Sequence, residues 1–147
     1  MHIQFIIHEH FEAPGAYEIW GTKRGCSMSY SRVYQGDPLP EDLESTDLLI
    51  IMGGPQSPAT TLKECPWFDA QAEMRLIGRA IEAGKTVIGV CLGSQLIGEA
   101  LGAAFCHSPE KEIGKFPVRL TDAGKANPLF KDFGHELNVG HWHNDMP

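Results

Sequence analysis

The chain has 147 residues, 42% of them hydrophobic and 21% charged, the make-up of an ordinary globular domain with room for a real core. Its net charge of −7, from 12 basic and 19 acidic residues with no basic run, argues against nucleic-acid binding through phosphate neutralisation. The longest purely apolar run, 48–52, is too short to cross a bilayer, so no membrane partner is expected.

The opening stretch MHIQFIIHEHF lacks a basic start and a small-residue cleavage site, and reads as a first strand over 2–8, not a signal peptide. Its apolar, β-branched run suits a parallel strand buried on both faces. Residues 14–24 predict a helix, with Pro14 in its first turn and Gly25 just past its end. SMSYSRVY (27–34) alternates roughly by two and predicts the next strand. A proline- and acid-rich loop then leads to a strongly apolar strand over 47–52, which ends in Gly53-Gly54-Pro55. Residues 56–64 are polar and read as a loop. A long helix is expected over 66–82, where Ala70, Met74, Ile77 and Ile81 recur at helical spacing beside Leu76 and Ala80, with Gly84 as its stop. Next come a buried strand over 86–90, a turn at Cys91, and a helix over 94–101 ended by Gly102. Short strands are expected at 103–106 and 116–120, a helical turn at 127–133, and a last strand at 136–140 that approaches a closing loop, HWHNDMP. No repeat, low-complexity block or long linker divides the chain, so 1–147 reads as one domain. Strands alternating with helices imply a mostly parallel sheet with helices on both faces, its ligand crevice at the carboxyl ends of the strands.

Cys91 and the Gly-Gly-Pro turn both fall at that edge. Gly89 and Gly93 flank Cys91 at two residues on either side, the thiol counterpart of the Gly-x-Ser-x-Gly nucleophile elbow. A nucleophile on a sharp strand-to-helix turn has strained backbone angles and needs neighbours without Cβ; the helix N-terminus behind it favours thiolate over thiol. The plain alternative is a buried core cysteine. The backbone N–H of Leu92 is one candidate donor to an oxyanion, and the Gly53-Gly54 turn is the obvious source of a second. Gln95, on the first turn of the helix, can orient a polar substrate or simply face solvent. Cys26, Cys65, Cys91 and Cys106 show neither CxxC pairing nor zinc spacing, which fits reduced thiols in a cytoplasmic protein.

With MGGPQSP at 52–58, GVCLGSQ at 89–95, KEIGKFPV at 111–118 and GHWHND at 140–145, the chain resembles the class I glutamine amidotransferases. Within them it is similar to stand-alone proteins like the amidotransferase domain of GMP synthetase, and the loop RVYQGDPLP (32–40) adds to the likeness. The resemblance implies a flavodoxin-like α/β fold and hydrolysis of the glutamine γ-amide through a γ-glutamyl thioester, with no cofactor. By motif position Cys91 is the nucleophile, Gly54 and Leu92 supply oxyanion-hole N–H groups, and Gln95 helps hold the substrate. Glutamine and an ammonia-accepting synthetase are the implied partners, with self-association left open. Lys111 and Glu112 receive no firm role, and Glu112 reads as structural.

One departure stands out. The family's base is the histidine of a His-Pro-Glu motif, and no such motif occurs in these 147 residues. The expectation is a domain lacking its C-terminal portion, inactive alone for want of that pair. Competing readings are a binding or assembly module that has lost the chemistry, or a hydrolase of another γ-glutamyl bond. His143, oriented by Asp145, is the substitute base on hand, and pocket shaping is its commoner alternative. A metal site among His135, His141, His143 and Asp145, or among His8, Glu9 and His10, is the weaker reading of those histidines; His8 and His10 default to pocket lining.

Overall fold

Four parallel strands, His2–Ile7 (β1), Ser27–Arg32 (β2), Leu48–Ile51 (β3) and Thr86–Gly89 (β4), lie in the order β2-β1-β3-β4. The computed structural model describes residues 1–103, 106–134 and 136–146, and their side chains except those of 106–111 and 142–146. These fall into two compact units, residues 1–103 and Cys106–Met146, each described by itself.

In the first unit Ile3 lies opposite Leu48, Leu48 opposite Thr86 and Ile51 opposite Gly89. β3 is buried at every position and β1 at all but its first, as an apolar run between two covered faces requires. Helices Ala70–Glu82 (α2) and Leu92–Ala100 (α3) cover one face, where Leu76, Ile77, Leu92 and Leu96 pack with Ile6, Leu49 and Ile51. Helix Ala16–Lys23 (α1) contributes Tyr17 to the other face, beside Phe5, Leu48 and Ile50. Full burial of each such Leu, Ile or Phe is worth about 1.5–3 kcal/mol. Right-handed crossovers leaving β1 on one side and reaching β3 on the other place the helices in this way. The order is that of a flavodoxin-like sheet, whose ligand crevice opens at the carboxyl ends of β1 and β3, where the strand order reverses. No helix among the described residues is long and apolar enough to span a membrane.

Several boundaries differ from expectation. α2 begins at Ala70 and not near Pro66, because the Asp69 carboxylate caps it, accepting from the Ala72 N–H at 2.9 Å. α3 begins directly after Cys91, two residues before Ser94. β2 stops at Arg32, and Val33–Gln35 forms a 3-10 turn.

The second unit departs most. One long strand, Cys106–Arg119 (β5), takes in most of the strand expected at 116–120, residues 104 and 105 of the strand expected at 103–106 lie outside the described residues, and HWHND is not a loop. It belongs to the strand Glu136–Met146 (β6), antiparallel to β5 with Gly114 opposite His141 and Arg119 opposite Glu136. The register breaks between His107 and Glu112. Between the strands, helix Asp122–Ala126 (α4) is capped by the Thr121 hydroxyl, and Asn127 caps the 3-10 turn Pro128–Phe130. Pro117 lies inside β5, opposite Asn138. A two-stranded ribbon has an open edge on each strand, where a missing N–H is tolerated.

Candidate active site

Cys91 has φ 50° and ψ −109°, and is the one non-glycine with positive φ among the described residues. Holding a side-chain-bearing residue in such a conformation costs of order 1–3 kcal/mol, so the surroundings must enforce it. They do so with backbone. The Val90 N–H donates to the Ile51 carbonyl at 2.9 Å and the Gly93 N–H to that of Val90 at 2.9 Å. The Cys91 carbonyl accepts from the Ser94 N–H at 2.9 Å and from the Ser94 hydroxyl at 2.7 Å. A Cβ on Gly89 would overlap the backbone of Gly93 and lie 2.5 Å from the Ser94 nitrogen; one on Gly93 would overlap the Ile51 carbonyl. The glycine spacing is therefore a packing requirement of the turn. Cys91 itself is exposed, whereas Cys65 is buried and Cys26 half-buried. The thiol is presented, not packed away as a core cysteine.

The loop after β3 lies against this turn. A Cβ on Gly53 would stand 3.5 Å from the Cys91 Cβ and 2.8 Å from a Glu12 carboxylate oxygen. One on Gly54 would meet the Leu92 Cδ2 and the His8 Cβ, each at 3.1 Å. Cys91, Gly53, Gly54 and Leu92 thus converge at one edge of the sheet. Gln95 is buried on the first turn of α3, at 6% exposure, which removes its solvent-facing alternative.

Below the loop lies an arrangement that the sequence reading missed. His8 follows β1 and is 0% exposed, and Glu73 on α2 is 2% exposed. His8 Nδ1 is 3.0 Å from the Gly53 carbonyl oxygen, and Nε2 is 2.9 Å from Glu73 Oε2. Phe68 meets the imidazole edge-on, with ring centres 5.5 Å apart. A carbonyl accepts only, so Nδ1 carries a proton, and a carboxylate at Nε2 favours a second one there. Burial alone would push the His8 pKa down; the hydrogen bond and charge of Glu73, helped by the Gly53 carbonyl, outweigh it and raise the pKa above the ordinary 6.5. With both ring nitrogens engaged, His8 is neither simple pocket lining nor a metal ligand. The available signal was a glutamate within the apolar stripe Ala70, Leu76, Ile77, Ala80 of α2. Beside the pair, Gln56 Nε2 donates to Glu9 at 2.8 Å.

The remaining residues singled out by sequence divide in two. His141 Nδ1 lies 2.8 Å from a Glu112 carboxylate oxygen across the ribbon, and its ring packs on Phe116 at 5.1 Å, which gives Glu112 a structural partner. His135 and the side chains of Lys111, His143 and Asp145 lie outside the described residues, and with them the substitute base.

A buried parallel sheet in flavodoxin-like order, with an exposed cysteine at a strained strand-to-helix turn, defines an α/β protein of flavodoxin-like fold. The chain belongs to the glutamine amidotransferase class-I family, whose family model matches residues 21–146. It is 58% identical over all 147 residues to the glutamine amidotransferase-like protein YfeJ of Salmonella typhimurium, of which it spans 62%. The crystal structure of SMU.1228c, 54% identical, matches with a TM-score of 0.97 over 100% of this chain and 63% of its own. A glutamine-hydrolysing GMP synthase of Caldanaerobacter subterraneus is 30% identical over 119 residues, 80% of this chain and 21% of that one. The chain therefore spans less than two thirds of the length of each of these relatives.

Proposed function

We propose that Cys91 is the nucleophile of a glutaminase reaction. The thiolate attacks the γ-amide carbon of glutamine, and negative charge builds on the amide oxygen. The N–H groups of Leu92 and Gly54 receive that charge from two sides, and the buried Gln95 helps hold the substrate. Collapse breaks the C–N bond, ammonia leaves with an added proton, and water then cleaves the γ-glutamyl thioester to glutamate and free thiol. The observation that carries this reading is the exposed cysteine forced to φ 50° between two glycines that backbone contacts require, with the Gly53-Gly54 loop against it.

Proton transfer is the part these 147 residues supply least well, since no His-Pro-Glu pair occurs among them. General acid–base assistance is typically worth ~10²–10⁴-fold, so turnover by this chain alone is expected to be slow. The ammonia released goes to a synthetase partner, a reading supported by the glutamine-hydrolysing GMP synthase among the relatives, whose own chain is far longer. A cytoplasmic site of action fits the free thiols of Cys26 and Cys65.

Chemical rescue tests the mechanism. Ammonia release from glutamine by the 147-residue chain should rise with added imidazole, which replaces the missing base, and should vanish in Cys91→Ala. Equal release by Cys91→Ala, at any imidazole concentration, would refute the assignment.

A further inference from the structure

His8, just past β1, and Glu73, on α2, form a buried ion pair that the nucleophile turn does not use. Stability gives no reason for it: an apolar pair of similar volume in such a position is often neutral or stabilising. Its hydrogen bond to the candidate site runs from His8 Nδ1 to the Gly53 carbonyl, 3.0 Å long, with Phe68 edge-on against the imidazole.

Peptide geometry gives that bond a consequence. The described chain has no cis peptide bond, so the Gly53 carbonyl and the Gly54 N–H lie in one plane and point in opposite directions. A bond that fixes the carbonyl also fixes the N–H. Two successive glycines have the freest backbone available, and a peptide between them needs such a hold to keep one orientation. Glu73 completes the device by accepting from Nε2 at 2.9 Å, since a neutral imidazole free to choose its tautomer could turn a bare Nδ1 toward the carbonyl.

We infer that His8, backed by Glu73, is a positioning pair that aims the Gly54 N–H at the oxyanion by holding the Gly53 carbonyl. This rests on Gly54 being an oxyanion donor to the intermediate on Cys91. His8 acts through the peptide and does not touch the substrate.

Two thiol reagents separate the possibilities on the 147-residue chain. A glutamine-mimicking chloroketone puts negative charge on an oxygen as the thiolate adds to its carbonyl, whereas iodoacetamide alkylates sulfur by displacement with no oxyanion. The variant His8→Asn keeps a donor where Nδ1 stood, and His8→Gln keeps one only where Nε2 stood. Loss of one oxyanion donor costs ~10²–10³-fold, so His8→Gln should react with the chloroketone slower by a factor approaching ~10². Its iodoacetamide rate should match the parent, and His8→Asn should keep most of the chloroketone rate. If His8→Gln does not fold, Glu73→Gln carries the same test, with a smaller loss confined to the chloroketone. Unchanged chloroketone rates, or equal losses with both reagents, overturn the inference. A parent chain whose chloroketone labelling is not glutamine-protected removes the underlying reading instead. Protected labelling of Cys91 with His8→Gln unaffected removes only the positioning role.

Discussion

The turn at Cys91 and the loop at Gly53 leave adjacent strands at the same edge of the sheet, yet they are held in shape by different means. The turn is shaped by close backbone packing, its own and that of the neighbouring strand at Ile51. Gly89 and Gly93 meet backbone where any Cβ would clash, and the Cys91 carbonyl is capped by Ser94. The loop is held from a distance, by a histidine 45 residues away in sequence whose own partner lies 65 residues further along. Steric enforcement tolerates almost no substitution but is insensitive to pH. An ion-pair anchor tolerates isosteres but responds to protonation.

That contrast can be broken at several points. The largest expected effect is Glu73→Ala, which strands a buried imidazolium and should cost about 3–5 kcal/mol in a urea melt. Replacing both members by apolar residues of similar volume should recover most of that loss. Gly93→Ala comes next: its Cβ must displace the Ile51 carbonyl, and overpacking of this kind costs about 1–3 kcal/mol or more. The same substitution at Gly78, where a Cβ meets nothing, should leave stability level or slightly raised and serves as the control.

The pH response should be specific to the loop. The His8 pKa is raised on folding, because the Glu73 hydrogen bond and charge outweigh desolvation. The stability this adds is fully present below the ordinary value of 6.5 and is lost as pH rises through the folded-state pKa. Melting temperature should therefore decline above that point in the parent chain and decline less in Glu73→Gln. Equal slopes would show that the pair does not carry the charge assigned to it. The smallest effect is expected at Cys91 itself. Cys91→Gly relieves a strained φ and should raise stability by up to about 1 kcal/mol while abolishing thiol chemistry there.

The same contrast explains what could be read from the sequence. The elbow was legible because its requirements sit within GVCLG, and β1 and β3 because both faces are covered, which leaves continuous apolar runs. Local signals misled at α2, where Pro66 suggests a first turn but Asp69 is the cap, and at α3, which starts on Leu92-Gly93 despite glycine's poor helix propensity. In the ribbon, the strand expected over 116–120 takes in only the last part of β5, which also runs through Gly114. Pairing across some 30 residues, as between Glu112 and His141, leaves no periodic trace. His8 and Glu73 were hidden for the same reason: each is explained only by a partner that the fold brings in from another element.

Cys91 is set apart from Cys26 and Cys65 by the strained, exposed turn that bears it. Mass-spectrometric mapping of chain treated with a glutamine-mimicking chloroketone tests this most directly. The adduct should fall on Cys91 alone and disappear when glutamine is present in excess. Adducts shared evenly among Cys26, Cys65, Cys91 and Cys106, with no protection by glutamine, would contradict it.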